Sequence, residues 1–373
     1  MRVHASAGHN LCPNFTTAEQ RGDLSGLGKT IRDPLNSGTP FPGNMIPSNR
    51  LNPISQRILA YYPAPNVPGA RVSNFINSPS RIVDQNNFLV KADHRLSENN
   101  DLMGRFAHQE FNRYTPGAFP LAGGLRTPQT YENTAIGLTT RLTPLLISEL
   151  RFGYSHVISN SVGQNVDKPI MRELGLVFQG QTNLDVLNGF PESIVLNNTS
   201  FSTFGEPLPR IYDMKVFQMY EGVTWSRNKH TLKFGADIKR DRVQEPVINY
   251  VRRSYTFGGQ YTGDGLGDFL LGFASAANAG LDISPPFDYA RWNLGFYAVD
   301  DWKLSSKLTL NLGLRYEYVT PAKEEGGFTP LFDRTLGGLR FPKQNTAAQA
   351  FYTNLRPDLP FGFLDRETLF RAD

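Results

Sequence analysis

Few residues in this 373-residue chain have the types and spacing that chemistry requires. The six histidines are scattered singly, without the H-x-x-x-H or H-E-x-x-H spacing that brings two imidazoles to one zinc ion. Cys12 is the only cysteine, which excludes an intrachain disulfide and a thiolate metal site. Asp300 and Asp301 are adjacent on a predicted strand, so they point to opposite faces. The sequence therefore predicts no enzyme and no cofactor.

Two glycine-rich segments are similar to nucleotide-binding loops but do not match them. GDLSGLGKT (22–30) has Asp23 where a phosphate loop needs its first glycine, and no strand precedes it. GDGLGDF (263–269) lacks the dinucleotide spacing and has too few further oxygen ligands for calcium, so it predicts a turn into a short helix. The formal net charge of only +4 predicts no nucleic-acid partner.

A group of arginines and tyrosines lies in segments that the sequence predicts to be loops. A mixed cationic and aromatic surface suits an anionic or sugar-bearing ligand. Ordinary solvated loop charge is the alternative explanation. The candidate ligand-facing residues are Arg113, Tyr114, Arg126, Arg210, Tyr212, Arg252 and Arg253.

The elements that must position these residues are strands. Most of the alternating segments exceed the five or six residues usual in soluble sheets, and ~9–11 residues suffice for a tilted crossing of a bilayer. Short and long connections alternate between them, as in an antiparallel membrane barrel. The ten segments are 86–96, 101–112, 130–143, 147–160, 215–227, 230–245, 250–261, 274–283, 291–304 and 307–319.

Alternation gives each predicted strand one apolar and one polar face. In KLTLNLGLRYEYVTP (307–321), the leucines share one parity and predict a lipid-facing surface. A soluble β-sandwich with its aromatic residues in the core is the alternative. The predicted lumen-facing residues are Arg151, Lys233, Asp237, Arg315 and Glu317. The predicted aromatic girdle consists of Trp225, Trp292, Trp302, Tyr316 and Tyr318.

The first 85 residues are rich in proline and glycine and lack this alternation. They predict a surface loop with one short helix, capped by Asn52 and begun by Pro53. The predicted organisation is an extracellular-loop region over 1–85, antiparallel barrel strands over 86–319, and a truncated extracellular loop over 320–373. The fold class is all-β, an antiparallel transmembrane β-barrel portion of about ten strands.

Several segments resemble the barrel of TonB-dependent outer-membrane receptors of the Oar-like group. They are 41–66, 86–106, 230–240, 267–273 and 297–321. The most specific is the last, YAVDDWKLSSKLTLNLGLRYEYVTP, in which acidic residues precede Trp302 and a two-serine turn leads into the alternating strand. The resemblance implies a larger barrel, with its lumen closed by an N-terminal plug, in the outer membrane of a Gram-negative bacterium.

The family resemblance implies import of a scarce nutrient, such as a siderophore, an oligosaccharide or a peptide-like ligand. The implied partners are outer-membrane lipid, an unknown small ligand, and the TonB complex through a plug that this chain lacks. The chain is accordingly expected to be an internal fragment. Alternatives are a passive porin-like channel, a surface-binding β-barrel, or a secreted soluble β protein that binds carbohydrate.

Overall fold

The computed structural model describes most of the chain. The described residues are 2–6, 10–70, 73–176, 188–197, 205–206, 209–245, 252–278, 287–342, 346, 349–350, 353 and 360–364. Within these ranges no helix is both long enough and apolar enough to cross a membrane.

Strands dominate the described chain, with a few short helices between them. The strands are β1 (Arg2–Ser6), β2 (Asn10–Cys12), β3 (Arg32–Asp33), β4 (Thr39–Pro40), β5 (Phe75–Asn77), β6 (Ser80–Ser97), β7 (Asn100–Thr115), β8 (Leu125–Thr143), β9 (Leu146–Gly163), β10 (Ser193–Leu196), β11 (Arg210–Arg227), β12 (His230–Glu245), β13 (Ser254–Phe257), β14 (Ala276–Asn278), β15 (Phe287–Ser305), β16 (Leu308–Val319), β17 (Lys323–Glu324), β18 (Leu331–Asp333), β19 (Gly338–Pro342) and β20 (Phe361–Leu364). The α-helices are α1 (Thr17–Gln20), α2 (Pro53–Leu59), α3 (Ile170–Leu174) and α4 (Gly265–Leu271), and three 3-10 turns lie at Ser25–Leu27, Pro42–Asn44 and Ser48–Arg50.

Eight long strands form one antiparallel sheet in the order β6-β7-β8-β9-β11-β12-β15-β16. β1 extends it beside β6, and β17 pairs with β15. Two-residue turns at 98–99, 144–145, 228–229 and 306–307 join strands at one edge, which we call the short-turn rim. Asn228 has φ 55°, a left-handed conformation that asparagine tolerates in tight turns. All other connections leave from the opposite edge, the long-loop rim.

Eight of the ten predicted strands belong to this sheet, and β12 matches its predicted bounds of 230–245. The segments 250–261 and 274–283 were wrongly predicted as barrel strands. Of the residues that the structure describes in the first, 252–261, only Ser254–Phe257 is extended, and it pairs in parallel with β10 in a small separate sheet. Gly259, at φ 79°, turns the chain immediately afterwards. In the second, only Ala276–Asn278 is a strand, and 279–283 lie outside the described residues.

The register fixes two faces across all eight long strands, because directly paired residues share a face. The apolar face carries even-numbered residues of β6–β9, β12, β15 and β16 and odd-numbered residues of β11. It holds most of the large exposed hydrophobic side chains of these strands, whereas Leu89, Ile147 and Val319 are exposed on the other side. Those on the apolar face include Phe88, Val90, Phe106, Ile136, Phe152, Phe217, Met219, Phe234, Trp292, Phe296, Leu312, Leu314, Tyr316 and Tyr318.

This apolar face is exposed over a continuous width of sheet, so its aromatic residues are not the core of a sandwich. Contiguous exposed apolar surface of this extent marks a site of membrane or protein contact. Trp292 and Trp302 lie ten residues apart on it, near opposite rims. At ~3.4 Å per residue and a tilt of ~40° they are separated by about 25 Å along the barrel axis, the height of a lipid-facing apolar band.

Among the described residues, the main cluster of buried hydrophobic side chains lies outside the long strands. We call it the cap: it combines residues from the first 80 with residues of the connections that leave the long-loop rim. Phe15, Ile58 and Phe75 from the N-terminal part are buried together with Phe119, Ile170 and Phe269 from later loops. The prediction of a simple surface loop over 1–85 therefore missed a packed core, whose apolar residues come from distant parts of the chain.

Two predicted helices position the cap. The Asn52 side chain accepts hydrogen bonds from the N–H groups of Ile54 and Ser55, so α2 begins as expected at Pro53. Asp264 similarly caps α4, which confirms the turn and helix predicted at GDGLGDF. The helices contact directly, since the Ser55 hydroxyl donates to the carbonyl of Phe269 at 2.5 Å. The first 85 residues also contain a second α-helix, α1, which was not predicted.

The segment after residue 320 also contains regular structure. β18, β19 and β20 form a three-stranded sheet in which Arg340 Nε lies 2.6 Å from Asp333 Oδ2. Phe341 is fully buried there. The segment predicted only as a loop therefore includes a small folded sheet.

Candidate functional site

The second face of the large sheet, the polar face, is the candidate functional surface. Arg151, Tyr220, Asp237 and Glu317 fall in one row across it, linked by register through Gly295. Lys233 and Arg315 have the same orientation. The five residues predicted to face a lumen thus share one face, opposite the exposed apolar side chains.

Charged residues on the polar face are mostly paired with one another. Lys233 Nζ lies 3.3 Å from Asp301 Oδ2, and Arg315 Nε donates to Glu317 Oε1 at 2.6 Å. Arg151 pairs with Glu149 and stacks over the Tyr220 ring, with Cζ 5.9 Å from its centroid. Asp237 accepts a hydrogen bond of 2.8 Å from Gln218. Such pairing keeps the surface hydrated without a large excess of one charge.

Two tyrosines lie over a pair of glycines at the centre of the polar face. The Tyr220 and Tyr297 hydroxyls are 2.7 Å apart and hydrogen-bonded. Gly222 and Gly235 are direct cross-strand partners, and a Cβ on either would overlap one of these rings. The glycines therefore leave room for the aromatic rings to lie close to the sheet.

We expect Gly235→Val to destabilise the protein by ~1–3 kcal/mol, because a Cβ there would overlap the Glu221 carbonyl and lie 2.8 Å from the Tyr297 ring. Gly153→Val is the matched control: it is on the same face, and its Cβ would meet only Gln218 Cβ at 3.7 Å. Urea unfolding in lipid vesicles measures both. Equal stability of the two variants would contradict the packing described here.

Toward the long-loop rim, the polar face becomes rich in amides and hydroxyls. Gln129 donates to the Ser159 hydroxyl at 2.9 Å and accepts from the Tyr131 hydroxyl at 2.8 Å. Asn133 donates to Ser155 at 2.8 Å. A concave region of about 520 Å³ opens beside them. Its lining on this face consists of Asn87, Gln109, Tyr131, Asn133 and Ser155 together with Leu89, Ala107 and Val157.

The structure separates the seven candidate ligand-facing residues. Arg113, Arg210 and Tyr212 lie on the polar face at the long-loop rim, in strands that extend further than predicted. Tyr114 and Arg126 pair with each other on the opposite face. They line a cleft of about 260 Å³ with Gln164, Asn165 and Lys168, and the Tyr114 hydroxyl donates to Gln164 Oε1 at 2.9 Å.

Arg252 does not face solvent, so the prediction that it faces a ligand was wrong. Its side chain is fully buried in the cap. Nη1 donates to the Asn188 carbonyl at 2.6 Å, and Nη2 donates to the Glu206 carbonyl at 3.1 Å. Burial lowers the pKa of this guanidinium, while Glu206 and Glu192 oppose the shift. Its neighbour Arg253 has φ 62°, and its carbonyl accepts from the Glu192 N–H at 2.8 Å.

Glu206 is the acidic group of this buried cluster. Burial raises its pKa above the ordinary 4.5, although the hydrogen bond from Asn165 and the charge of Arg252 act in the opposite direction. The folded cap therefore holds this proton more tightly than the unfolded chain does. Its contribution to cap stability decreases as pH rises from 4.5 through the raised folded-state pKa.

We expect Glu206→Gln to remove this part of the pH dependence. Amide hydrogen exchange of the cap, compared between pH 5 and pH 7, measures the change. The wild-type cap should lose more protection toward pH 7 than the variant does. An identical loss of protection in both proteins would show that Glu206 does not titrate across this range.

In the glycine-rich loops, Asp264, Asp268 and Lys29 all contact other protein groups. Asp268 accepts from the backbone and side chain of Thr262, both at 2.8 Å, and Asp264 binds Lys29 Nζ at 2.8 Å. Across the described ranges, no group of three or more histidine, cysteine or acidic residues is arranged to hold a metal ion.

Sequence reasoning missed the tyrosine pair and the amide-rich region. Strand parity places Tyr220 on the same face as Gln218, and Tyr297 on the same face as Asn293. The alternation therefore already predicted part of this arrangement. The contact between Tyr220 and Tyr297 depends on the register across β12, which one sequence does not specify.

A comparison with protein families agrees with this architecture. Residues 2–361 match a family described as an outer membrane beta barrel domain. No curated protein matches the chain. Among solved structures, the outer membrane transporter YddB from Escherichia coli is similar at a TM-score of 0.42 and 10% identity, covering 66% of this chain and 28% of that chain.

The copper transporter OprC is similar at a TM-score of 0.39 and 12% identity, covering 72% of this chain and 32% of that chain. The chain thus spans less than a third of either solved protein. The family match, extending over nearly all of the large sheet and the cap, identifies the location as the outer membrane of a Gram-negative bacterium. This chain belongs to the outer membrane beta barrel domain family.

Proposed function

We propose that this chain forms part of the wall and the cell-surface cap of a transporter barrel, with the polar face lining the lumen. The observation that carries the proposal is the division of one sheet into an exposed apolar face and a hydrogen-bonded charged face. Lipid-facing and lumen-facing residues alternate in this way in outer-membrane barrels. In a soluble carbohydrate-binding protein this apolar face would be exposed to water, which is unfavourable.

The proposed orientation has the short-turn rim in the periplasm and the cap outside the cell, because short turns mark the periplasmic rim of bacterial barrels. The connections that leave the long-loop rim, 116–124, 164–209 and 246–286, are then extracellular together with the N-terminal part of the cap. The cap would cover the entry to the lumen, beside the amide-rich concavity and Arg113, Arg210 and Tyr212.

Surface labelling of intact cells tests this orientation. In a Cys12→Ser background, Leu35→Cys places a thiol at an exposed cap position, and Lys307→Cys places one in a short turn. A membrane-impermeant maleimide should label Leu35→Cys on intact cells and Lys307→Cys only after the outer membrane is permeabilised. The reverse pattern would invert the topology.

The proposed cargo is a scarce polar nutrient: a siderophore, an oligosaccharide or a peptide-like compound. Amides and hydroxyls around the concavity suit a solute with many hydrogen-bonding groups. The nearby arginines would favour one that also carries negative charge. The residues proposed to meet it are those of the polar face at the long-loop rim.

We further propose that the parent protein is an Oar-like TonB-dependent receptor, on the strength of the segments that resemble this group. The runner-up is a passive porin-like channel. Conductance of the full-length protein in planar bilayers separates them, since a plugged transporter should give no steady current. Binding of the purified periplasmic domain of TonB should accompany the closed state. A steady open conductance without TonB binding would favour the porin.

A further inference from the structure

A shallow groove of about 640 Å³ crosses the middle of the apolar face and reaches toward the long-loop rim at Trp292. Its aromatic lining includes Phe152, Tyr154, Phe217 and Trp292, with Ile136 and Met219 beside them. The Tyr154 and Phe217 rings are 4.9 Å apart. Because the groove opens on the face that meets lipid, an acyl chain is the occupant its position and apolar lining favour.

One cation lies in this apolar lining. Arg240 pairs in register with both Phe217 and Trp292, and its Cζ is 5.5 Å from the centroid of the Trp292 ring. Its Nε is buried and has no hydrogen-bond partner among the described residues. Its ion-pair partner within the described chain is Glu325, with 3.6 Å between Arg240 Nη2 and Glu325 Oε1, a distance longer than a charged hydrogen bond.

The neighbouring cations on the same face are already engaged. Arg242, two residues further toward the rim, holds Asp288 through its Nε at 2.7 Å and 3.0 Å. Lys215 lies 2.9 Å from Asp213. Arg240 therefore differs from both, because its guanidinium has donors available for a ligand. It lies at the boundary between the apolar band and the row that contains Lys215 and Arg242.

We propose that Arg240 binds the phosphate of a membrane lipid whose acyl chain lies in the aromatic groove. A guanidinium presents a planar pair of donors that matches phosphate oxygens, and Trp292 holds the group at a fixed height. The apolar groove below it supplies the contact for the chain. This site depends on the barrel fold and is independent of what the lumen transports.

Native mass spectrometry of the full-length protein in detergent tests the site. Dimyristoylphosphatidic acid supplies both chain and phosphate, dimyristoylglycerol supplies the chains alone, and inorganic phosphate supplies the anion alone. Arg240→Gln is compared with Arg291→Gln, which removes a cation from the polar face of the adjacent strand. Heat-modifiable migration in gels confirms that each variant is folded.

Arg240→Gln should weaken binding of phosphatidic acid about tenfold or more, the effect of losing charged hydrogen bonds, while Arg291→Gln stays within about twofold of wild type. Equal binding by the two variants would overturn the proposal. So would wild-type affinity for dimyristoylglycerol or inorganic phosphate equal to that for phosphatidic acid. If Arg240→Gln does not fold, fluorescence quenching by brominated phosphatidic acid replaces it as the test. The fraction of tryptophan fluorescence quenched should be larger in the wild type than in Trp292→Phe. An equal fraction in both proteins would overturn the proposal.

Discussion

Leu314→Arg is expected to destabilise the folded barrel in lipid by ~2–4 kcal/mol, the cost of an arginine near the bilayer midplane on the lipid face. Leu314 lies near the middle of the band bounded by the rows of Trp302 and Trp292. Its side chain is 76% exposed, so the substitution removes little packing. The measured loss should therefore report transfer of charge into hydrocarbon.

Asn311→Arg is the matched control for this effect. It introduces the same side chain three residues away on β16, on the polar face, where ion pairs and water are available. Its effect on stability should be close to zero. Urea titration of both variants in vesicles measures the difference, and a larger loss for Asn311→Arg would contradict the assignment of faces.

Arg252→Met is expected to cost the cap ~2–4 kcal/mol of local stability. The guanidinium is fully buried and donates to the carbonyls of Asn188 and Glu206. Methionine fills part of the volume but leaves both carbonyls without these donors, at ~1–3 kcal/mol for each buried group. The loss should fall on the cap, because these contacts join its loops and do not involve the long strands.

Hydrogen exchange resolves whether the loss is local. Cap amides should exchange faster in Arg252→Met, whereas protection in β9, β11 and β12 should match that of wild type. Arg21→Met, at an exposed arginine elsewhere in the cap, should leave exchange unchanged. Unaltered cap protection in Arg252→Met would show that this arginine does not hold the loops together.

The sequence predicted the long strands best where one face meets the apolar environment. β12 was located at both ends because its alternation continues to the short turn after Arg227 and persists up to Glu245. β7 and β8 were predicted too short: near the long-loop rim both faces are polar, so alternation disappears while backbone pairing continues. Arg113 and Tyr114 were consequently grouped as loop residues, although strand parity places them on opposite faces.

The cap and the buried Arg252 could not be read from local patterns. Phe15, Phe119, Ile170 and Phe269 are far apart in sequence and meet only after the strands bring their loops to one rim. An arginine in a glycine-rich loop has the same local signature whether it is buried or solvated. Its role depends on the carbonyl groups around it, which come from other segments.

Site-directed spin labelling along β12 tests the central claim, that one face of the sheet meets lipid and the other meets water. Single cysteines at positions 232–239, in a Cys12→Ser background, would be labelled in the full-length protein in vesicles. Collision with oxygen, which concentrates in hydrocarbon, should peak at the even positions, and collision with a water-soluble nickel complex should peak at the odd positions. Accessibility without a period of two, or with the two parities exchanged, would contradict the account.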